Sequence, residues 1–157
     1  MTNKPTNCLL GGALGDSLGY PVEFSSYREI QQNNPGGITF DNFSESVLIS
    51  DDTQMTLFTA FALLMSNNYL TNFWDCYQDW LETQWKTDKQ SMSHEPVSNL
   101  VNFQELFNSR EPGRTCLMAL AQQKPGSLQH PINNSKGCGG IMRVAPIGFI
   151  NENENII

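Results

Sequence analysis

The sequence predicts an all-α fold, and two observations carry this prediction. Apolar residues recur at helical spacing in several segments, and no segment shows the strict alternation of a half-buried strand. The chain has 157 residues, of which 39% are hydrophobic. This is enough for one domain with its own core, so we expect a single helical domain with long loops over residues 1–157.

The first predicted helix covers residues 8–18. Leu10, Leu14 and Leu18 recur there at intervals of four, and Tyr20-Pro21 ends the segment. Its glycines cost helix stability, which predicts close packing against another helix at three positions: Gly11, Gly12 and Gly15. Residues 27–49 are polar, contain a turn signal at 34–37, and are expected to form a long loop.

Residues 51–65 form the clearest predicted helix. Asp51 and Asp52 fall in its first turn, where the helix dipole favours negative charge. A second amphipathic segment follows at residues 71–85, with Thr71 or Asn72 as its N-cap.

The second half of the chain is less regular. Helices are predicted at residues 113–122 and 139–150, the latter kinked or ended by Pro146. Polar segments are expected as loops at 87–112, with a short helix at 97–107, and at 124–135. The last residues, 151–157, are expected to be a frayed tail.

Charge and cysteine content exclude several classes. The net charge of −7 opposes general binding to nucleic acid or anionic membranes, although an anionic small ligand remains possible. The four cysteines form no C-x-x-C pair, which opposes a zinc site or a disulfide framework and predicts reduced thiols in the cytoplasm. The longest apolar run, residues 57–65, is too short to span a bilayer, and residues 1–7 lack a signal-peptide pattern.

Two acidic segments predict a metal site. Ser50-Asp51-Asp52-Thr53 precedes an apolar helix, and the upstream segment 12–23 contributes Asp16 and Glu23. Oxygen-only ligand sets suit hard cations such as Mg²⁺. Each segment also has a plainer interpretation: Ser50 as a helix N-cap, and Glu23 as a surface acid after a packed helix.

A glycine-rich segment, residues 135–146, is the third motif. Gly137, Gly139 and Gly140 allow backbone N–H groups to approach a phosphate closely, although a flexible loop explains a glycine cluster equally well. Cys138 as a nucleophile would need a histidine, for which only His94 and His130 are available.

Taken together, the three motifs resemble the ADP-ribosylglycohydrolase family of the dinitrogenase-reductase-activating glycohydrolase type. The resemblance covers residues 8–150. It rests on Gly15-Asp16-x-x-Gly19-x-Pro21-x-Glu23, on Ser50-Asp51-Asp52-Thr53, and on the glycine-rich stretch from Gly137 to Gly148. Tyr77-x-x-Trp80-Leu81 and Pro112-Gly113-Arg114-Thr115 also read like family segments.

The resemblance implies an all-α fold around two Mg²⁺ ions and cleavage of the N- or O-glycosidic bond between ADP-ribose and a protein side chain or small acceptor. The implied metal ligands or their immediate support are Glu23, Ser50, Asp51 and Asp52; Glu23, Asp51 and Asp52 are also the implied catalytic residues. The implied contacts to the ribose–phosphate part of ADP-ribose are Asn133, Asn134, Ser135, Lys136, Gly137, Cys138 and Gly139. Asp16 would support the site, and Cys138 replaces an Asn found in some relatives.

One family motif, Asp-x-Asp-[Ser/Thr], does not occur in this sequence. The chain is therefore expected to correspond to about the N-terminal half of a family member, truncated at its C-terminal side. We expect partly exposed aromatic residues, and hence self-association or pairing with a complementing C-terminal chain, at Phe58, Phe61, Trp74, Trp80 and Trp85. The alternatives are a non-catalytic ADP-ribose-binding, inhibitory or structural protein on the same fold, and a helical interaction domain without a ligand.

Overall fold

The computed structural model describes residues 3–39, 41, 47–65, 68–122 and 124–150. Within these ranges the chain is helical and contains no strand, so the predicted all-α class is confirmed. The α-helices are α1 (Lys4–Gly19), α2 (Tyr27–Asn33), α3 (Asp51–Leu64), α4 (Tyr69–Thr83) and α5 (Arg114–Leu120). Short 3₁₀ turns lie at Tyr20–Val22, Lys89–Ser91, Asn99–Asn102, Gln104–Leu106, Cys138–Gly140 and Ala145–Phe149.

The first helix begins earlier than predicted and ends where expected. Asn3 caps it by accepting a hydrogen bond from Thr6 N, and Tyr20-Pro21 converts its end into a 3₁₀ turn. The prediction of close packing at its glycines was wrong. Outside α1 itself, no atom of the described residues lies within 4 Å of a Cβ atom added at Gly11, Gly12 or Gly15, so within the described part this face of α1 packs against no other helix.

The core lies chiefly between α3 and α4. Phe58 of α3 and Trp80 of α4 have no exposed surface, so the prediction that both are partly exposed was wrong. Packing of the two helices against each other hides them, and burial of such side chains contributes about 2–3 kcal/mol each. Phe61 and Trp74 are half-buried, whereas Trp85 is 68% exposed, as expected.

The predicted loop at residues 27–49 contains a helix that the sequence analysis missed. Ser26 Oγ accepts a hydrogen bond from Glu29 N (3.3 Å), and Glu29 Oε2 accepts one from Ser26 N (2.7 Å). This capping box nucleates α2 despite its weak apolar pattern. The turn at 34–37 is present, with Gly37 at φ +86°. Residues 40 and 42–46 of the predicted loop lie outside the described part.

Two further boundaries were predicted wrongly. Helix α4 begins at Tyr69, so neither Thr71 nor Asn72 is its cap; the buried Asn72 side chain donates to Ala62 O of α3 instead (3.2 Å). The predicted helix at 139–150 is two 3₁₀ turns, since glycines and Pro146 disfavour a continuous α-helix.

Of three further predictions for the second half of the chain, two concern described residues. The segment expected as a short helix at 97–107 consists of 3₁₀ turns, and the loop at 124–135 carries no helix in its described residues. The expected tail, 151–157, lies outside the described part.

All four cysteines are free thiols: Cys76 and Cys116 are buried, Cys8 is half-buried and Cys138 is exposed. None of the described helices is long and apolar enough to cross a bilayer.

The long connection between α4 and α5 is fixed by one buried carboxylate. Asp79, on α4, has no exposed surface and accepts hydrogen bonds from Val97 N (3.0 Å) and Ser98 N (2.7 Å). His94 Nε2 lies 2.7 Å from its other oxygen. Burial raises the pKa of Asp79, and these three hydrogen bonds oppose that rise.

Replacing Asp79 by Ala should therefore destabilise the fold by about 3 kcal/mol, because it leaves two buried backbone N–H groups without an acceptor. His94→Gln is the matched control. It keeps Asp79 and removes only a partly exposed partner, so a loss below about 1 kcal/mol is expected. Chemical denaturation measures both, and equal losses would contradict the assigned role of Asp79.

Candidate active site

The N-terminus of α3 is held by one side chain of α1, that of Asp16, and by its own cap. Asp16 Oδ2 accepts hydrogen bonds from Ser50 N (2.8 Å), Thr53 N (3.3 Å) and Thr53 Oγ1. Ser50 Oγ accepts one from Asp52 N (3.1 Å). The N-cap interpretation of Ser50 is thus confirmed, and the arrangement gives Asp16 the supporting position that the resemblance implied.

A cavity of about 480 Å³ opens beside this helix start. Glu23, the residue that follows the 3₁₀ turn after α1, lies on its wall together with Ser50 and Asp52. Gly12, Gly15 and Gly19 of α1 also line the cavity. The structure therefore brings three of the four predicted metal ligands to one cavity.

The fourth predicted ligand, Asp51, is oriented differently. Its side chain is buried and does not line the cavity. Asp51 N donates to Arg110 O (2.9 Å), and its Oδ2 accepts from Gly113 N (3.1 Å). Asp51 thus connects the start of α3 to the segment that leads into α5.

Burial and mutual repulsion raise the pKa values of the acidic residues. Burial raises the pKa of Asp51 to about 6, although the hydrogen bond from Gly113 N lowers it. The charges of Asp52 and Glu23 add to the rise. Burial and then Asp16 raise the pKa of Asp52, whereas Arg143 lowers it. Burial, followed by Asp52 and Asp16, raises the pKa of Glu23. A cation placed among these carboxylates would relieve this repulsion.

The donor chemistry fits Mg²⁺, which prefers carboxylate, hydroxyl and water oxygens. The geometry is less complete. Among the residues that the structure describes, no three His, Cys, Asp or Glu side chains converge as a site that could hold a metal ion. The set Glu23, Ser50, Asp51 and Asp52 therefore stays a prediction.

Residues 135–141 of the glycine-rich segment pack over α5 and do not line this cavity, whereas Met142 and Ala145 of the same segment do line it. Ser135 Oγ lies 2.7 Å from Thr115 Oγ1 of α5 and accepts from Gly137 N (3.2 Å). Ser135 N donates to Asn133 Oδ1 (2.9 Å). Two backbone N–H groups of residues 133–139, the implied ribose–phosphate contacts, are thus used within those residues. In the described part, His94 contacts Asp79 and Glu82 rather than Cys138, which disfavours the Cys138–His94 nucleophile.

Two residues near the acidic cluster lie in the sequence motifs but were assigned no role from the sequence. Thr53 contacts Asp16 through both its N–H and its hydroxyl. Arg143 supplies the positive charge that lowers the pKa of Asp52. The sequence could have indicated Arg143, because it is the one basic residue between Gly137 and Ile150.

Comparison with known proteins identifies one family. A family model described as ADP-ribosylglycohydrolase matches residues 2–157. The match includes both acidic segments and the glycine-rich segment. No curated protein and no solved structure gives a match.

The raised pKa of Asp51 predicts a pH effect on stability. The unfolded carboxyl ionises near pH 3.8 and the folded one near pH 6, so the folded chain binds more protons between these values. Stability should fall as pH rises through this window. Asp51→Asn keeps an oxygen acceptor for Gly113 N and removes the charge, so its stability near pH 7 should exceed that of the wild type by as much as about 3 kcal/mol.

The measurement is the thermal midpoint from pH 4 to pH 8 with a chelator present, so that no divalent cation compensates the charge. Asp75→Asn, on α4, is the matched control and should follow the wild-type curve. If the Asp51→Asn curve also ran parallel to the wild type, the buried charge of Asp51 would not be a source of instability.

Proposed function

Because the chain belongs to the ADP-ribosylglycohydrolase family, we propose that it takes part in Mg²⁺-dependent hydrolysis of the glycosidic bond between ADP-ribose and a protein side chain or small acceptor. Family membership indicates glycohydrolase activity on ADP-ribose. The observation that carries the proposal is the shared cavity of Glu23, Ser50 and Asp52 beside the helix start that Asp16 fixes.

Each acidic residue has a role in this proposal. Glu23 is exposed, and its pKa is raised, which makes its carboxylate a stronger base for proton removal from water. Asp52 and Ser50 would supply oxygen ligands at a rigid helix start, whereas Asp51, whose Oδ2 accepts from Gly113 N, would have to offer its other oxygen. Mg²⁺, when bound, would orient sugar hydroxyls and make water more acidic. Loss of the acceptor from the ribose anomeric carbon would follow an oxocarbenium-like path, which nearby carboxylates stabilise.

We assign the ribose–phosphate portion of ADP-ribose to residues 133–139. The described side chains of this segment are largely exposed, and Lys136 is its one basic residue. A solvent-exposed Lys is a suitable partner for a diphosphate on a chain whose net charge is −7. Hydrogen bonds within the segment pre-form its shape before ligand arrives.

We further propose that carboxylates from a complementing chain or segment complete the site, since Asp-x-Asp-[Ser/Thr] does not occur in this sequence. Two-metal chemistry needs ligands on both sides of the ions. A second copy of the chain is the other candidate partner. The four free cysteines favour the cytoplasm as the location.

The competing function is a non-catalytic ADP-ribose-binding, inhibitory or structural protein on the same fold. The observation that favours it is that no three metal-binding side chains converge within the described residues. Binding of ADP-ribose without release from any acceptor separates this function from hydrolysis.

The test is release of ADP-ribose from an ADP-ribosylated protein, measured for residues 1–157 alone and with a separately expressed segment that carries the Asp-x-Asp-[Ser/Thr] motif. Release should require Mg²⁺ and be greatest with both chains present. Glu23→Gln and Asp52→Asn should each lower the rate on the order of a hundredfold, because each alters a group at the reacting centre.

Glu29→Gln is the matched control for Glu23→Gln, since Glu29 caps α2 away from the cavity walls, and it should retain the wild-type rate. Release that persists with a chelator would contradict the Mg²⁺ dependence. Binding without release in either arrangement would favour the non-catalytic function.

A further inference from the structure

The glycine-rich segment is attached to the helices beneath it through the side chain of Arg143. Its Nε donates to Gly139 O (2.5 Å), and its Nη2 donates to Cys116 Sγ on α5 (2.8 Å). Its Cζ lies 4.8 Å from the centroid of the Tyr77 ring on α4. A single half-buried guanidinium thus contacts the segment and two helices.

The Tyr77 ring is itself held in place from α3. Its hydroxyl lies 2.6 Å from Thr59 Oγ1, and Thr59 donates its own proton to Met55 O (2.9 Å). Tyr77 is therefore the donor in the first of these bonds. Phe73 stacks on the same ring at a centroid distance of 6.2 Å. The surface that receives Arg143 is consequently rigid.

The backbone of the segment lies tightly against this contact. A Cβ atom at Gly139 would fall 2.3 Å from Cys116 Sγ and 3.3 Å from Arg143 Nη2. Glycine is needed at this position because the backbone approaches α5 so closely. Thr56 Oγ1 of α3, which donates to Asp52 O (2.7 Å), also lies 3.3 Å from Met142 O.

We propose that Arg143 is a positioning residue that fixes the backbone of residues 137–142 against α4 and α5. Its effect on ADP-ribose rests on the proposed function, whereas its effect on the segment itself does not. Arginine suits this role because its planar fork donates in two directions while its face lies over an aromatic ring. A lysine ammonium keeps the charge but cannot make all three contacts at once.

Hydrogen exchange tests the attachment directly. Ile141 N and Met142 N both donate to Cys138 O, so their protection reports whether the segment keeps its shape. Arg143→Lys should raise exchange at these two amides by about tenfold, since hydrogen bonds from a charged donor are lost. Exchange in the core of α3 should stay unchanged, whereas a purely structural loss would raise it throughout the chain.

Matched variants separate the contacts. Tyr77→Leu removes the ring face and should also raise exchange at Ile141 and Met142. Tyr77→Phe keeps the ring face and loses only the contacts of the hydroxyl with Thr59 and Arg143, so its effect should be smaller than that of Tyr77→Leu. Arg28→Lys, on the exposed surface of α2, is the control for the substitution itself and should leave exchange at wild-type values.

Calorimetry with ADP-ribose tests the consequence for the ligand. Arg143→Lys should raise its Kd by about tenfold and leave the Kd for Mg²⁺ alone within about twofold. Unchanged exchange in Arg143→Lys would overturn the proposal, and so would locally raised exchange with an unchanged Kd for ADP-ribose. If the wild type binds no ADP-ribose, the proposed function fails, and the exchange measurement alone decides whether Arg143 fixes the segment.

Discussion

The carboxylate of Asp16 is the interaction on which the candidate site depends. The first four N–H groups at the α3 N-terminus each need an acceptor. The Asp16 carboxylate accepts hydrogen bonds from Ser50 N and Thr53 N. Arg110 O accepts one from Asp51 N, and Ser50 Oγ accepts one from Asp52 N. No donor of this turn is left to water. The backbone of the turn is therefore rigid, and the hydrogen bond from Gly113 N also fixes the carboxylate of Asp51.

This anchoring has an electrostatic cost. It gathers Asp16, Glu23, Asp51 and Asp52 closely enough that burial and mutual repulsion raise the pKa values of three of them. Arg143 is the described cation that lowers the pKa of Asp52. A chain selected for stability alone would not keep such a cluster, and unfavourable local charge is common where a protein binds or catalyses.

The sequence predicted the parts that repeat and missed those that depend on single contacts. Helices α1, α3, α4 and α5 were predicted because their apolar spacing persists over two turns or more. Helix α2 was missed because its capping box, Ser26 with Glu29, is a local contact without an apolar stripe. The helix predicted at 139–150 was wrong because the glycines that let the backbone approach Cys116 also disfavour an α-helix.

The sequence predicted which residues belong to the candidate site better than it predicted how they are arranged. The motifs identified Glu23, Ser50 and Asp52, which the fold brings to one cavity. They did not show that the Asp51 carboxylate accepts a hydrogen bond from Gly113 N, or that residues 133–139 pack over α5. These contacts join segments about 20 to 60 residues apart, and spacing within one motif carries no information about them.

The central claim is that a divalent cation binds at the start of α3. The most direct measurement is a titration with Mn²⁺, a paramagnetic ion that takes the same oxygen ligands as Mg²⁺, followed by amide NMR spectra. We expect line broadening to centre on the amides of residues 50–53 and 22–23. The other acidic cluster, Asp79 and Glu82 with His94, provides an internal comparison. Broadening centred there, or none near residues 50–53, would contradict the account.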